Sequence, residues 1–178
     1  ALVMVCAGAS EQAVAQWASA FAERGLGVSK AVGDLAGPMM FAALMGTARL
    51  LYSRFGEKID LRKAIMICGV LCLGSYLLIS LSPCPALGLV GCGLCGFSVG
   101  IFWPGTFSIS AVKIRRGGTA MFALLALGGD VGCCAGPALV GSISSVLGDN
   151  LAAGILAGTV FPLVLLGGMM AQKAAEQA

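Results

Sequence analysis

Histidine is absent from the 178-residue sequence, and charged residues make up only 11% of it. Soluble domains average about 25% charged residues, which help to cover the surface that faces water. Because there is no histidine, proton-transfer chemistry in this chain has to fall to carboxylates. The scarcity of charge excludes an ordinary soluble domain, and the net charge of +3 is too small to indicate nucleic-acid binding.

Apolar sequence is what the chain has in abundance. Hydrophobic residues make up 58% of it, and 27 further residues are glycine. The mean hydropathy is +0.97, which excludes a disordered chain because disorder requires low hydrophobicity. The composition therefore predicts a protein whose solvent is the lipid bilayer.

Six apolar segments are long enough for a membrane-crossing helix, which needs about 20 residues. They are residues 2–22, 35–53, 64–82, 86–112, 119–143 and 151–171. We therefore predict an all-α membrane protein in which residues 1–178 form a single domain of six transmembrane helices. No signal-peptide pattern precedes the first segment. Because the chain begins directly in an apolar run, we interpret it as a fragment of a longer protein.

The basic residues predict an orientation. Nine of them fall in or beside the second and fourth connections or after the last span: Arg49, Arg54, Lys58, Arg62, Lys63, Lys113, Arg115, Arg116 and Lys173. The other three connections hold only Arg24 and Lys30. Cytoplasmic loops carry the excess of Lys and Arg, so this bias places both termini of the segment on the cytoplasmic side of a cell (inner) membrane.

The eight cysteines include one C-x-x-C pair, Cys92 and Cys95. A structural zinc site needs four ligands of suitable geometry, and the sequence offers neither a second pair nor a histidine. We therefore interpret the cysteines as small packing residues within helices, and we predict no metal and no cofactor.

A charged segment after the second span resembles a known family motif. Residues 45–65 read MGTARLLYSRFGEKIDLRKAI. The segment is similar to the loop motif between helices two and three of each half of a major facilitator superfamily transporter. Gly46, Arg54, Gly56 and Lys58 fit the pattern, and Ser53 stands where the family usually has Asp. Four further stretches resemble the C-terminal half of sugar-permease-like bacterial members: SEQAVAQWASAFAERGLG, GDLAGP, CGFSVGIFWPG and AMFALLALGGDVGCCAGP.

The resemblance implies a fold and an activity. The six spans would be helices seven to twelve of a twelve-helix secondary transporter, arranged as two inverted three-helix repeats. Substrate would bind near the bilayer midplane, between this half and a missing N-terminal six-helix half or a second copy. The motif residues, with Arg49, would form a loop gate on the cytoplasmic side.

Polar residues within the spans are the candidates for function. A carboxylate at the bilayer centre costs roughly 2.5–3.5 kcal/mol, so Glu11 and Asp130 are predicted to face the bundle interior or a water-filled cavity. We interpret both as proton-coupling groups, with structural hydrogen bonding as the alternative. Gln12, Gln16, Trp17 and Trp103 are predicted to contact substrate. For these four, the alternatives are interhelical hydrogen bonding, packing or an interfacial position.

Small residues recur every four positions in two spans. They are Gly88, Cys92, Gly96, Gly100 and Pro104 in the fourth, and Gly128, Gly132 and Gly136 in the fifth. Such stripes let helices approach closely, and the pattern leaves open whether the contact slides or is static.

The function predicted from these observations is secondary active transport of a small polar solute, sugar-like by resemblance and coupled to protons. The alternative is a six-helix membrane interaction or assembly protein without transport activity of its own. No catalytic constellation is present in the sequence, so we predict that the chain is not an enzyme.

Overall fold

The computed structural model describes residues 1–26, 29–114 and 116–177, with all their side chains except those at positions 21, 24–26, 30, 34, 85, 173 and 175–177. These residues form nine helices and no strand. The helices are α1 (Leu2–Ala15), α2 (Ala18–Leu26), α3 (Lys30–Phe55), α4 (Leu61–Leu81), α5 (Pro85–Val99), α6 (Phe102–Lys113), α7 (Gly118–Val146), α8 (Leu151–Gly158) and α9 (Val160–Gln177). Arg115, one of the basic residues counted above, lies outside the described residues.

Five helical stretches of the described chain are long and apolar enough to cross a membrane. They are Ala31–Phe55, Leu61–Leu81, Ala86–Lys113, Gly118–Val146 and Leu151–Gln172. Their ends agree with the second to sixth predicted spans to within four residues. An all-helical chain with five such stretches is consistent with a multi-pass membrane protein.

The predicted first span differs from what the structure contains. The segment predicted as a span over residues 2–22 is interrupted, because α1 ends at Ala15 and α2 begins at Ala18, and it is not among the five membrane-length stretches. The 14 residues of α1 extend about 21 Å, short of the ~30 Å hydrocarbon core. The N–H of Trp17 donates to the carbonyl of Val14 (3.2 Å), a shorter-range bond than the helical one, which marks the end of α1. The polar residues in this segment keep it from being as apolar as the other five.

Glycines set the distance between α1 and α7. A Cβ added at Gly132 would overlap the carbonyl oxygen of Val5, and one added at Gly136 would lie 2.9 Å from the Ala9 Cα. A Cβ at Gly8, on α1, would overlap the Gly129 carbonyl. The predicted stripe in the fifth span is therefore a close helix contact at Gly132 and Gly136, whereas Gly128 makes only ordinary contacts.

The predicted stripe in the fourth span also lies at a helix contact. A Cβ at Gly96 would lie 2.9 Å from the Phe41 carbonyl carbon, and one at Gly100 would lie 2.9 Å from the Met45 oxygen. Both neighbours belong to α3, so α5 and α3 pack backbone to backbone. Small residues permit this approach where larger side chains would hold the helices apart.

Each of the nine helices contributes side chains to the buried core. Among its largest buried side chains are Met4, Ile65, Tyr76, Phe102 and Leu165. The Tyr76 hydroxyl donates to the Ser10 carbonyl oxygen (2.8 Å), which ties α4 to α1 through a fully buried bond. Large apolar side chains also cover the outside of α3, α4 and α7, for example Leu50, Ile67 and Leu124. Extended apolar surfaces of this kind are rare on soluble monomers and suit lipid.

Candidate functional site

An ion pair links α1 to the membrane-length helix α3. Glu11 is the tenth residue of α1, and Arg49 lies six residues before the end of α3. The Arg49 Nη2 atom is 4.0 Å from the Glu11 Oε2 atom. The Glu11 side chain is only 13% exposed, whereas that of Arg49 is 47% exposed. Glu11 is therefore a largely buried acid whose partner reaches it from a half-open surface.

The pair is held by charge rather than by hydrogen bonds. A separation of 4.0 Å exceeds hydrogen-bond range. The buried Glu11 Oε2 atom has no hydrogen-bond partner among the described residues. Burying an acceptor without a partner is unfavourable, so this oxygen is a place where a proton or a ligand donor would be stabilised.

A groove opens beside this pair, between α3 and α6. Arg49 and Tyr52 of α3 line one side, and Trp103, Pro104 and Phe107 of α6 line the other. Its volume is about 400 Å³, within the range of small-molecule sites. We call it the α3–α6 groove. It is open to one side of the molecule and combines one cation with three aromatic rings.

Local sequence explains how the groove is built. A turn at Gly100 and Ile101, both with right-handed helical dihedral angles, separates α5 from α6, which begins at Phe102. Trp103 and Phe107 are four residues apart, which puts both rings on one face of α6 in an edge-on contact with centroids 6.2 Å apart. The Tyr52 and Ser108 hydroxyls share a 2.8 Å hydrogen bond, which fixes α3 against α6.

Trp103 occupies its position because Gly129 leaves room for it. A Cβ at Gly129 would lie 2.5 Å from the indole ring, so only glycine allows α7 to support the ring this closely. The indole Nε1 atom is buried and has no hydrogen-bond partner in the described part of the chain. A buried N–H without an acceptor is uncommon, and it adds a second unpaired polar atom to this region.

Asp130 is not brought to the ion pair. It is the thirteenth residue of the 29-residue α7 and is exposed. Gly129, Gly132 and Gly136 occupy the buried face of that helix, and residue 130 is turned by about 100° from residue 129. Of the two locations predicted for it, the bundle interior is therefore excluded. Asp130 forms no hydrogen bond or ion pair with the residues that the structure describes.

The other predicted substrate contacts of the first segment lie away from the groove. Trp17 packs against Gly141 and donates its Nε1–H to the Pro137 carbonyl at 3.4 Å, so it braces α7. Gln12 is half-buried and Gln16 is exposed. Neither amide lines the α3–α6 groove.

The motif predicted as a loop gate forms the turn from α3 to α4, except for two residues. Arg54 lies in the last turn of α3, Gly56 caps that helix by donating to the Tyr52 carbonyl (2.7 Å), and the Lys58 N–H donates to Phe55 (2.9 Å). Gly46 faces open space within α3. Arg49 belongs to the groove and its ion pair rather than to the turn.

Asp60 closes the same turn by capping α4. Its carboxylate accepts the Lys63 backbone N–H at 3.2 Å and pairs with the Lys63 ammonium at 3.4 Å. The hydrogen bond, aided by the positive charge, holds the pKa of the Asp60 carboxyl below its usual range. The turn is therefore a well-capped junction between two membrane-length helices.

The C-x-x-C pair contributes no metal site in the described residues. Cys92 and Cys95 are buried thiols within α5. No group of three or more metal-ligating side chains is found in the described part of the chain. Their small volume suits the close packing of α5 between α3 and α4.

Sequence reasoning missed Tyr52, Phe107 and Ser108. Two patterns in the sequence pointed to them: Tyr52 follows Arg49 by three residues, and Phe107 follows Trp103 by four. Such spacings place side chains on one helical face. The pairing of Glu11 with Arg49 has no sequence signal, because it depends on how α1 and α3 approach one another.

In comparisons with models of protein families, with curated proteins and with solved structures, no match to this chain was found.

Proposed function

We propose that this chain is the C-terminal half of a secondary active transporter of the major facilitator type, moving a small solute together with protons. The observation that carries the proposal is the pair that Glu11 of α1 forms with Arg49 of the membrane-length helix α3, beside an open groove. Intramembrane ion pairs are costly and are found mainly on ion and substrate pathways.

Two further features support it. Close glycine contacts join α1 to α7 and α5 to α3, as expected of helices that rock together as a unit. Basic residues are concentrated in the second and fourth predicted connections, which supports a cytoplasmic location for these two connections. The remaining wall of the substrate site would come from an N-terminal half or from a second copy of this chain.

Proton binding and solute binding would be coupled because a proton and Arg49 compete for the Glu11 carboxylate. When Glu11 is ionised it holds Arg49, and when it takes up a proton that attraction is lost. Arg49 then becomes available to the groove, so proton binding and solute binding occur in the same state of the protein. Asp130, exposed near the middle of α7, is a second candidate proton site facing the missing half.

The test is uptake of labelled solutes into cells that express the whole reading frame containing this chain. We expect Glu11→Gln to abolish accumulation driven by a pH gradient while exchange across the membrane persists. Asp149→Asn is the matched control, since Asp149 is exposed in the turn between α7 and α8 and asparagine tolerates its positive φ of 61°.

Unchanged pH-driven accumulation by the Glu11→Gln variant would refute the coupling role. If no solute is accumulated by the wild type, and Glu11 and Asp130 can both be neutralised without a phenotype, the assembly-protein alternative gains the support that transport loses.

A further inference from the structure

We propose that the α3–α6 groove binds a small organic carboxylate whose ring lies against the aromatic side chains, with the carboxylate replacing Glu11 as the partner of Arg49. The inference rests on the proposed transport function and names the substrate class of the same site. It departs from the sugar-like solute that the sequence resemblance implies.

The α3–α6 groove carries a positive charge. Among its described lining residues, Arg49 is the one charged side chain. A guanidinium has five N–H donors in a planar fork that matches a carboxylate. Its contact with Glu11 is too long for a hydrogen bond, and nearly half of its side chain is exposed. The groove therefore presents a cation with donors left for an anion.

The walls of the groove are largely aromatic. The rings of Tyr52, Trp103 and Phe107 offer flat apolar surface next to this cation. Phe107 is itself packed against Phe122, with centroids 5.8 Å apart, which holds the wall in place. Aromatic rings stack on or meet edge-on with other rings, so a ring or a short hydrocarbon attached to the carboxylate would be favoured there.

The groove has few neutral hydrogen-bonding groups along its lining. A sugar needs several donors and acceptors around its hydroxyls. The Tyr52 hydroxyl is already bonded to Ser108, and the predicted sugar contacts Gln12 and Gln16 do not line the groove. One cation and three rings suit an aromatic or alicyclic acid better than a polyol.

Proton stoichiometry follows from the exchange of partners. Glu11 carboxylate and a proton form a neutral acid, Arg49 keeps its charge, and the solute carboxylate takes the place that Glu11 left. One proton and one monoanion therefore enter the site together, with no change in its net charge. Among the described residues, the titratable groups near Glu11 include Arg49 of α3, Cys95 of α5 and Cys133 of α7, and Asp130 is near Cys133 in turn.

Tryptophan emission tests the assignment directly. The chain has two tryptophans, so Trp17→Phe leaves Trp103 as its single reporter in the groove. We would titrate this variant of the full chain, in phosphatidylcholine nanodiscs, with benzoate, benzyl alcohol, acetate and glucose. We expect saturable quenching by benzoate, with affinity rising as the pH falls. Benzyl alcohol and acetate, which lack the charge and the ring respectively, should each bind about 10-fold or more weakly.

Substitutions separate the charge from the ring contact. Arg49→Gln should weaken benzoate binding about 10- to 100-fold, and Arg49→Lys should weaken it less. Phe107→Leu should weaken benzoate but leave acetate unchanged. Glu11→Gln should bind benzoate at least as tightly as the parent and without the pH dependence. Arg116→Gln, at an exposed position outside the spans, is the matched control and should change nothing.

Equal binding of benzoate and benzyl alcohol, benzoate binding unaffected by Arg49→Gln, or tighter binding of glucose than of benzoate would each overturn the assignment. If Arg49→Gln fails to fold, the Arg49→Lys and Phe107→Leu variants decide. Solute uptake driven by protons without benzoate binding would refute the substrate class alone. Benzoate binding as expected, without transport of any anion by the whole protein, would support the site and refute the proposed function.

Discussion

Replacing Gly132 with alanine tests whether the α1–α7 contact holds the structure together. The added Cβ would overlap the Val5 carbonyl oxygen and lie 2.8 Å from the Ala9 nitrogen, and both of these are backbone atoms that cannot rotate away. The two helices would have to separate. Overpacking of this kind costs about 1–3 kcal/mol. Alanine recovers about 0.5–1 kcal/mol through its better helix propensity, which leaves a net loss of up to about 2.5 kcal/mol.

Gly74 provides the matched control because it lies within α4 and a Cβ there would meet no atom within 4 Å. Alanine at Gly74 should therefore raise the free energy of unfolding by about 0.5–1 kcal/mol. The measurement is reversible unfolding of the purified chain in mixed micelles with increasing SDS, followed by far-UV circular dichroism. Gly132→Ala and Gly74→Ala should shift the midpoint in opposite directions. A stabilising Gly132→Ala, or equal shifts of the same sign, would refute the reasoning from close helix contact.

Three further predictions use other contacts. Tyr76→Phe removes the buried bond to the Ser10 carbonyl and should lower the free energy of unfolding by about 0.5–1.5 kcal/mol in the same SDS assay; no change would mean that the bond contributes nothing. Because the pKa of Asp60 is lowered in the folded state, its stabilisation is present above the unfolded pKa of about 3.9 and is lost as the pH falls through the folded value, so Asp60→Asn should show less loss of stability on acidification from about pH 5 to 2. Thermal unfolding against pH measures this, and identical profiles would contradict it. Cys84 is exposed in the connection between α4 and α5, so a membrane-impermeant maleimide should label intact cells that produce the protein but label cells with the Cys84→Ser variant less; labelling that requires permeabilised cells would reverse the proposed orientation.

Much of the helical pattern could be predicted because it depends on local composition. Runs of about 20 apolar residues bounded by charged or turn-forming residues gave the second to sixth spans nearly to the residue at several ends. The first segment could not be predicted in the same way. It begins with an apolar run and then carries Glu11, Gln12 and Gln16, and a count of apolar residues does not reveal where such a helix stops.

The site was only partly predictable. Glu11 was recognisable from the sequence because a charge within an apolar run needs an explanation. Trp103 was predicted to contact substrate together with Trp17, and only Trp103 lines the groove. Arg49 was assigned to the loop gate because it is near the end of its span. Its side chain is long enough to reach back to Glu11 on another helix, and that depends on the approach of α1 and α3, which no local pattern encodes. For Asp130, the sequence predicted its position near the middle of α7 but not the direction in which its side chain faces.

The interruptions of the helices and the position of the groove have a common physical basis. Unpaired backbone groups within the hydrocarbon region are tolerated only where protein covers them or where they line a wet cavity. Turns at Gln16–Trp17 and at Gly100–Ile101 separate α1 from α2 and α5 from α6, and the segments that carry these turns also supply Glu11 and Trp103. Gly100 and Ile101 are buried, so α3 and the core shield the second turn. Because α6 begins at Phe102, directly after that turn, Trp103 lies in the first turn of a new helix, against Gly129 and opposite Arg49.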